Sequence, residues 1–421
     1  MLVSRKTSEQ ASCVVEQLVL PVGIGTNPRS RRKAPKNQDR RSFKTAGLFA
    51  GIGGIELGLS RAGHEATLFC ENDASATAVL KARFPGITVH PDVRELKTLP
   101  DDVTLLAGGF PCQDLSQAGK TAGIGGEKSG LVGEVFRLLE ENRVPWVLLE
   151  NVPFMLQLAR GRALAVILDA LERLGYRWAY RVVDSRAFGL PQRRERVFFL
   201  ASKEGDPREV LLSDDVGEPP PLERGDFACG FYWTEGVRGL GWAVNAVPTL
   251  KGGSTIGIPS APAIWMPDGT MVKPDLRDAE RMQGFTPGWT EPAEQVVKRG
   301  YRWKLVGNAV TVNVAEWIGE RLAMPRPFDP WGSHPHKSGS PWPRAAWNMG
   351  HGRFVAPVSA FPVRRRPATL HKFLKYRPDL LSVKAAAGFL SRARTGSLRF
   401  PPGFLDAVEA HLRRMEAAEA A

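Results

Sequence analysis

Along residues 45–205, short apolar runs take turns with amphipathic stretches. The runs at 46–50, 66–70, 105–109, 145–149 and 197–201 are dominated by Ala, Leu, Val and Phe. Runs of this length between turn residues suit strands buried on both faces. Residues 55–62, 73–84, 130–142 and 161–174 read as helices, the second stopped by Pro85-Gly86, and 89–93 and 177–183 read as further strands. The alternation predicts an α/β fold on an open sheet, whose ligands bind outside the carboxyl ends of the strands. Beyond residue 203 the pattern loosens. Residues 203–275 are rich in Gly, Pro and Trp, with an acidic, Pro-rich linker at 214–223. They read as a smaller, irregular domain, the kind of loop-rich surface on which recognition is built. Helical patterning returns at 277–284, 311–322 and 373–418, and no internal repeat is visible.

The strand ends carry the candidate chemistry. Gly51-Ile52-Gly53-Gly54 falls between the first strand and the first helix, where glycines allow a tight turn and bring backbone N–H groups near a ligand. Glu71 ends the second strand twenty positions after Gly51, the spacing of an acid that accepts from a ribose. An adenosine-containing cofactor is expected. Glu56 stands where the third glycine of a dinucleotide loop would fall, which counts against a nicotinamide cofactor. Asp92 reads equally as an adenine contact or a turn cap. The run Leu105-Leu106-Ala107-Gly108-Gly109-Phe110-Pro111 delivers Cys112-Gln113 at a strand end. A lone Cys is more often a small buried hydrophobe; this one follows a stiffening proline and precedes a polar loop, 114–130, whose length suits a lid. Glu150 ends the strand at 145–149, where it reads either as a helix cap or surface residue or as a carboxyl beside a cleft, whose pKa can be raised. Gln192-Arg193-Arg194-Glu195-Arg196 is either a solvated charge cluster or a fork of guanidiniums for a phosphate or a base carbonyl.

Charge sharpens the picture. The chain has 421 residues and a net charge of +13, unevenly placed: +7 over residues 1–44, +10 over 326–421 and −4 between them. Basic ends of this kind hold phosphate backbones or simply keep a chain solvated. Four Cys without paired spacing indicate neither a disulfide framework nor a zinc cluster, and no metal is expected. No apolar run is long enough to span a membrane. The division expected is a basic arm at 1–43, disordered without a partner; a cofactor-binding domain at 44–205; a recognition domain at 206–275; a return segment at 276–325; and a basic extension at 326–421.

Together these blocks resemble the bacterial DNA (cytosine-5) methyltransferases over about residues 45–325, in family order. Phe49-Ala50-Gly51-Ile52-Gly53-Gly54 resembles the cofactor loop, Glu71 the ribose acid, and Asp92, with Val93, the adenine contact. Phe110-Pro111-Cys112-Gln113 resembles the nucleophile loop, and Glu150-Asn151-Val152 and Gln192-Arg193-Arg194-Glu195-Arg196 the next two catalytic blocks. Residues 277–285 resemble a structural block, Gly307-Asn308-Ala309-Val310 the last block of the cofactor site, and Thr249-Leu250 a pair of the family's recognition domains. Gly47 stands where many members carry an acid, and Asn72 where an aromatic often packs on the adenine.

The resemblance implies a Rossmann-like S-adenosylmethionine-dependent methyltransferase domain with a smaller target recognition domain. It implies S-adenosylmethionine held by Phe49, Gly51, Ile52, Gly53, Gly54, Glu71, Asp92, Val93, Pro111, Asn308, Ala309 and Val310. Cys112 would attack C6 of a cytosine flipped out of double-stranded DNA. Glu150 would bind its N3 and exocyclic amine, and Arg194, supported by Arg196, its carbonyl or a phosphate. Gln113, Ser116, Thr249 and Leu250 would touch DNA. A bacterial, cytoplasmic, nucleoid-associated monomer with a cognate restriction endonuclease is expected. The alternative is a tRNA cytosine-5 methyltransferase of the same fold, whose Cys-Phe-Thr signature is absent here.

Overall fold

The computed structural model describes residues 40–111, 130–254 and 261–421. Its main sheet has ten strands: β1 (Lys44–Leu48), β2 (Glu65–Cys70), β3 (Thr88–His90), β4 (Leu105–Gly109), β5 (Trp146–Asn151), β6 (Arg177–Asp184), β8 (Glu195–Ser202), β14 (His334–Pro335), β15 (Ala345–Asn348) and β16 (Arg353–Val355). Their order is β14-β16-β15-β6-β8-β5-β4-β1-β2-β3. β3, β2, β1, β4 and β5 pair in parallel, and β8 runs antiparallel between β5 and β6. The order reverses between β1 and β4, which opens a crevice above their carboxyl ends.

Both faces of the sheet are covered, so its strands read as continuous apolar runs. On one face lie α3 (Leu131–Glu141) and α4 (Arg162–Arg173), preceded in the chain by α1 (Gly54–Arg61) and α2 (Ala74–Arg83). On the other, α1 packs with the helix Val312–Ala323. Small residues let those two helices approach closely. A Cβ on Gly58 would stand 2.5 Å from the Ala315 Cβ, and one on Gly319 2.7 Å from the Ala62 Cβ.

The smaller sheet has the order β10-β9-β12-β13-β17, built from Ala243–Val244, Cys229–Phe231, Ala263–Trp265, Met271–Lys273 and Asp379–Leu380. The helices Val383–Thr395 and Phe404–Ala420 cover it, with Phe231, Trp265, Phe389 and Phe404 in the core between. A parallel pair between β7 (Gln192–Arg193) and β11 (Val247–Pro248) ties the two sheets together.

Several expectations shift. The first strand ends two residues early, because Phe49 turns away with φ 52°. Asp92 lies beyond β3 rather than on it. The helical stretch at 373–418 is two helices with Pro401-Pro402 between them, preceded by β17. Residues 326–421 are woven into both sheets: β15 pairs with β6 through Ala345↔Arg181, and β17 with β13. Phe43, at the end of the basic arm, is already buried. Arg41–Ala421 form one compact unit, and among the described residues no helix is long and apolar enough to cross a membrane.

Candidate active site

The carboxyl ends of β1, β2, β4 and β5 surround a cleft of about 960 Å³. The segment 304–309 closes one side, and Tyr232 with residues 249–253 forms the wall contributed by the smaller domain.

One end of the cleft is a backbone cradle. Phe49 (φ 52°) and Gly51 (φ 55°) both take left-handed conformations, which turns the chain sharply over the end of β1. The Gly51 N–H donates to Glu71 Oε2 at 2.7 Å and the Asp73 N–H to Oε1 at 2.8 Å. Burial pushes the Glu71 carboxyl up, and these two N–H groups oppose the shift. Gly53 and Gly54 do not line the cleft. A Cβ on Gly53 would strike the Phe84 ring at 2.5 Å, and one on Gly54 the Val310 carbonyl oxygen at 2.4 Å. They are packing glycines, and Val310 is the partner of Gly54 rather than a wall of the cleft. Ile52, Asp92, Val93, Pro111, Asn308 and Ala309 all face it. Asp92 accepts from the Arg94 N–H at 2.9 Å and from its guanidinium, which holds the carboxyl at about 2.

At the other end sits Glu150, 8% exposed, with Oε1 3.0 Å from Arg196 Nε. Burial raises its pKa, and Arg196 and Arg194 pull it back. Gly109 makes room, since a Cβ there would lie 2.9 Å from Glu150 Oε2. Asn151 Nδ2 donates to the Phe110 carbonyl at 3.0 Å, fixing the backbone that leads to Pro111 on the cleft wall. Cys112, Gln113, Ser116 and the expected lid through residue 129 lie outside the described residues.

Arg194 is elsewhere than the sequence led us to expect. It is 1% exposed, off the cleft, and donates to the carbonyls of Leu250 (3.0 Å), Gly307 (3.2 Å) and Ala309 (2.6 Å). It ties the link between β7 and β8 to the smaller domain and to the return segment, and of the two it is Arg196 whose guanidinium reaches the cleft. Thr249 and Leu250 line the cleft and are held from several sides: Thr249 Oγ1 donates to the Arg193 carbonyl, the Leu250 N–H to Gln192 Oε1, and Tyr232 Oη to the Thr249 carbonyl.

Sequence reasoning missed Tyr232, Lys251 and Lys304, all on the cleft wall. Lys251 directly follows Thr249-Leu250, and its position could have been noticed. Tyr232 lies in a stretch without periodicity and carries no signal.

The profile of C-5 cytosine-specific DNA methylases matches residues 43–223. The chain is 46% identical over 385 residues to the type II methyltransferase M2.BsuMI of Bacillus subtilis (strain 168), covering 87% of this chain and 97% of that protein. That share reaches well beyond residues 45–325. It is 38% identical over 314 residues to the type II methyltransferase M.Bsp6I of Bacillus sp. (strain RFL6), covering 66% of this chain and 98% of that one. Among solved structures, S. pombe Dnmt2 methyltransferase is similar at a TM-score of 0.47 and 16% identity, over 66% of this chain and 98% of the other. Fold and cleft are those of a methyltransferase with a Rossmann-like catalytic sheet. The chain belongs to the C-5 cytosine-specific DNA methylases, as a type II DNA cytosine-5 methyltransferase.

Proposed function

We propose that the chain methylates C5 of a cytosine flipped out of double-stranded DNA at a short recognition sequence, through a transient bond between Cys112 and C6. The observation that carries this reading is the buried Glu150–Arg196 pair at the cleft end reached through Phe110 and Pro111.

The cleft suits S-adenosylmethionine. Its volume lies in the range of roughly 300–1,000 Å³ of small-molecule sites, and Glu71, aligned by two backbone N–H groups, is a ready acceptor for ribose hydroxyls. Phe49, Gly51, Ile52, Glu71, Asp92, Val93, Pro111, Asn308 and Ala309 would hold it. When bound it supplies an electrophilic methyl group.

Carbon 5 of cytosine is a poor nucleophile. The Cys112 thiolate adds to C6 and loads electron density onto C5. Glu150, kept neutral to higher pH by its burial, gives a proton to N3 as the ring accepts those electrons. Arg196 orients Glu150 and faces the base, and Arg194 holds the walls together. Once C5 carries its methyl, a base takes the C5 proton, its electron pair reforms the C5–C6 double bond as Cys112 leaves as thiolate, and N3 returns its proton to Glu150. C6 is inaccessible in a stacked duplex, so the base must leave the helix. Gln113, Ser116, Thr249 and Leu250 are proposed DNA contacts. The chain acts as a monomer and protects sites cut by a cognate restriction endonuclease.

Bisulfite sequencing of plasmid DNA from cells expressing the wild type or Cys112→Ser tests this. Conversion-resistant cytosines at one short motif, with the wild type only, are expected. Equal protection by the Cys112→Ser variant would remove Cys112 as the nucleophile.

A further inference from the structure

Among the described residues, four cations line the cleft: Arg94, Arg196, Lys251 and Lys304. Each faces a carboxylate, respectively Asp92, Glu150, Glu235 and Asp73. Asp92, Glu150 and Asp73 line the cleft themselves, so those three cations are balanced within it. Glu235 does not line the cleft, and Lys251 therefore stands between the cleft and its partner.

The setting of Lys251 is rigid at the backbone and open at the tip. Hydrogen bonds from Arg194 and Tyr232 and to Arg193 and Gln192 hold the two residues before it. A Cβ on Gly307 would fall 2.2 Å from the Lys251 carbonyl carbon, and one on Gly252 2.2 Å from Asn308 Oδ1, so the chain is packed tightly on either side. The Lys251 ammonium lies 3.8 Å from the centre of the Tyr232 ring and 2.5 Å from Glu235 Oε1. Tyr232 cannot retreat while Gly241, at φ 66°, fits beneath it; a Cβ there would be 2.2 Å from the ring. The Lys251 side chain remains 42% exposed and that of Glu235 17%.

We propose that Lys251 grips a phosphate of the DNA strand entering the cleft, and that Glu235 competes with that phosphate for the ammonium. A compact ammonium with three rotatable donors suits a phosphate oxygen better than a base edge. The pair is half-exposed, so its attraction in the absence of DNA is modest and reversible. A phosphate contact of this kind fixes the register of the duplex against Thr249-Leu250. Glu235 thereby weakens every complex in which the phosphate is not well placed.

The inference rests on the DNA methylation reading. Its test is methyl transfer from tritiated S-adenosylmethionine to unmethylated, mixed-sequence duplex DNA several kilobases long, with KM for DNA measured at a series of salt concentrations. Lys251→Met is expected to raise KM on the order of tenfold at low salt and to flatten the log–log salt dependence by about 0.9. Lys251→Arg restores both. Glu235→Gln is expected to lower KM, a gain that misfolding cannot produce, and to have no such effect when combined with Lys251→Met. An active wild type whose Lys251→Met variant keeps KM and salt slope overturns this proposal alone, as does a Glu235→Gln effect that persists without Lys251. A wild type inert on this DNA overturns the methylation reading as well.

Discussion

Glu56 is the least comfortable residue in the fold. It sits in the first turn of α1, 1% exposed, and among the described residues neither of its carboxyl oxygens has a hydrogen-bond partner. The space it fills exists because residue 47 is glycine: a Cβ there would lie 2.2 Å from Glu56 Oε1. Burial, with a smaller push from Glu71, raises its pKa from 4.5 to about 7. Below pH 4.5 the group is neutral in both the folded and the unfolded chain and costs no ionisation. Between 4.5 and 7 the unfolded chain releases the proton and the folded chain keeps it, so stability falls as pH rises. Above 7 the loss is complete, at about 3 kcal/mol. Glu56→Gln removes the titration while keeping the shape. Urea unfolding of both proteins from pH 4 to 8 should show the wild type losing about 3 kcal/mol relative to the variant. Other groups titrate alike in the two proteins and cancel in the comparison. Parallel pH profiles would mean that the folded protein holds Glu56 no differently from water, and the reasoning from burial would be wrong.

Three further outcomes are expected. Glu150→Gln should keep cofactor and DNA binding while methyl transfer drops by roughly 10²–10⁴, read with tritiated cofactor. Gly54→Ala should push the Val310 carbonyl away, destabilising the fold by about 1–3 kcal/mol in thermal or urea unfolding and weakening S-adenosylmethionine binding measured by calorimetry. Truncation after residue 325 should give insoluble protein in an expression and gel-filtration test, because it exposes the β6 edge and strips Phe389 and Phe404 from the core they form with Phe231 and Trp265; removal of residues 1–39 should leave the sheets intact.

Local signals were strong wherever one short segment carries both a shape and a chemistry. The apolar runs at β1, β4 and β5 and the polar residues that end them needed only a strand period and a turn to be read. Glu71 and Glu150 stand at strand ends for that reason, and both face the cleft. Arg194 and Arg196 show the limit. They are two positions apart and alike in type, Arg194 in the one-residue link between β7 and β8 and Arg196 on β8; Arg194 is enclosed by three carbonyls 56 to 115 residues away, and Arg196 reaches Glu150. Nothing local distinguishes them.

The order and hydrophobicity of residues along the chain were thus enough for an α/β sheet, its cofactor loop and the family to which it belongs, because strand burial, turns and caps are decided within a few residues. The role of 326–421 was not accessible that way. Short strands such as Ala345–Asn348 have little pattern of their own and gain their partners from β6, more than 160 residues earlier. The cleft wall formed by Tyr232, Thr249 and Lys251 exists for a similar reason. Irregular loops take their positions from whatever holds them, here Gln192, Arg194 and Gly307, residues distant in the chain that only the tertiary structure brings together.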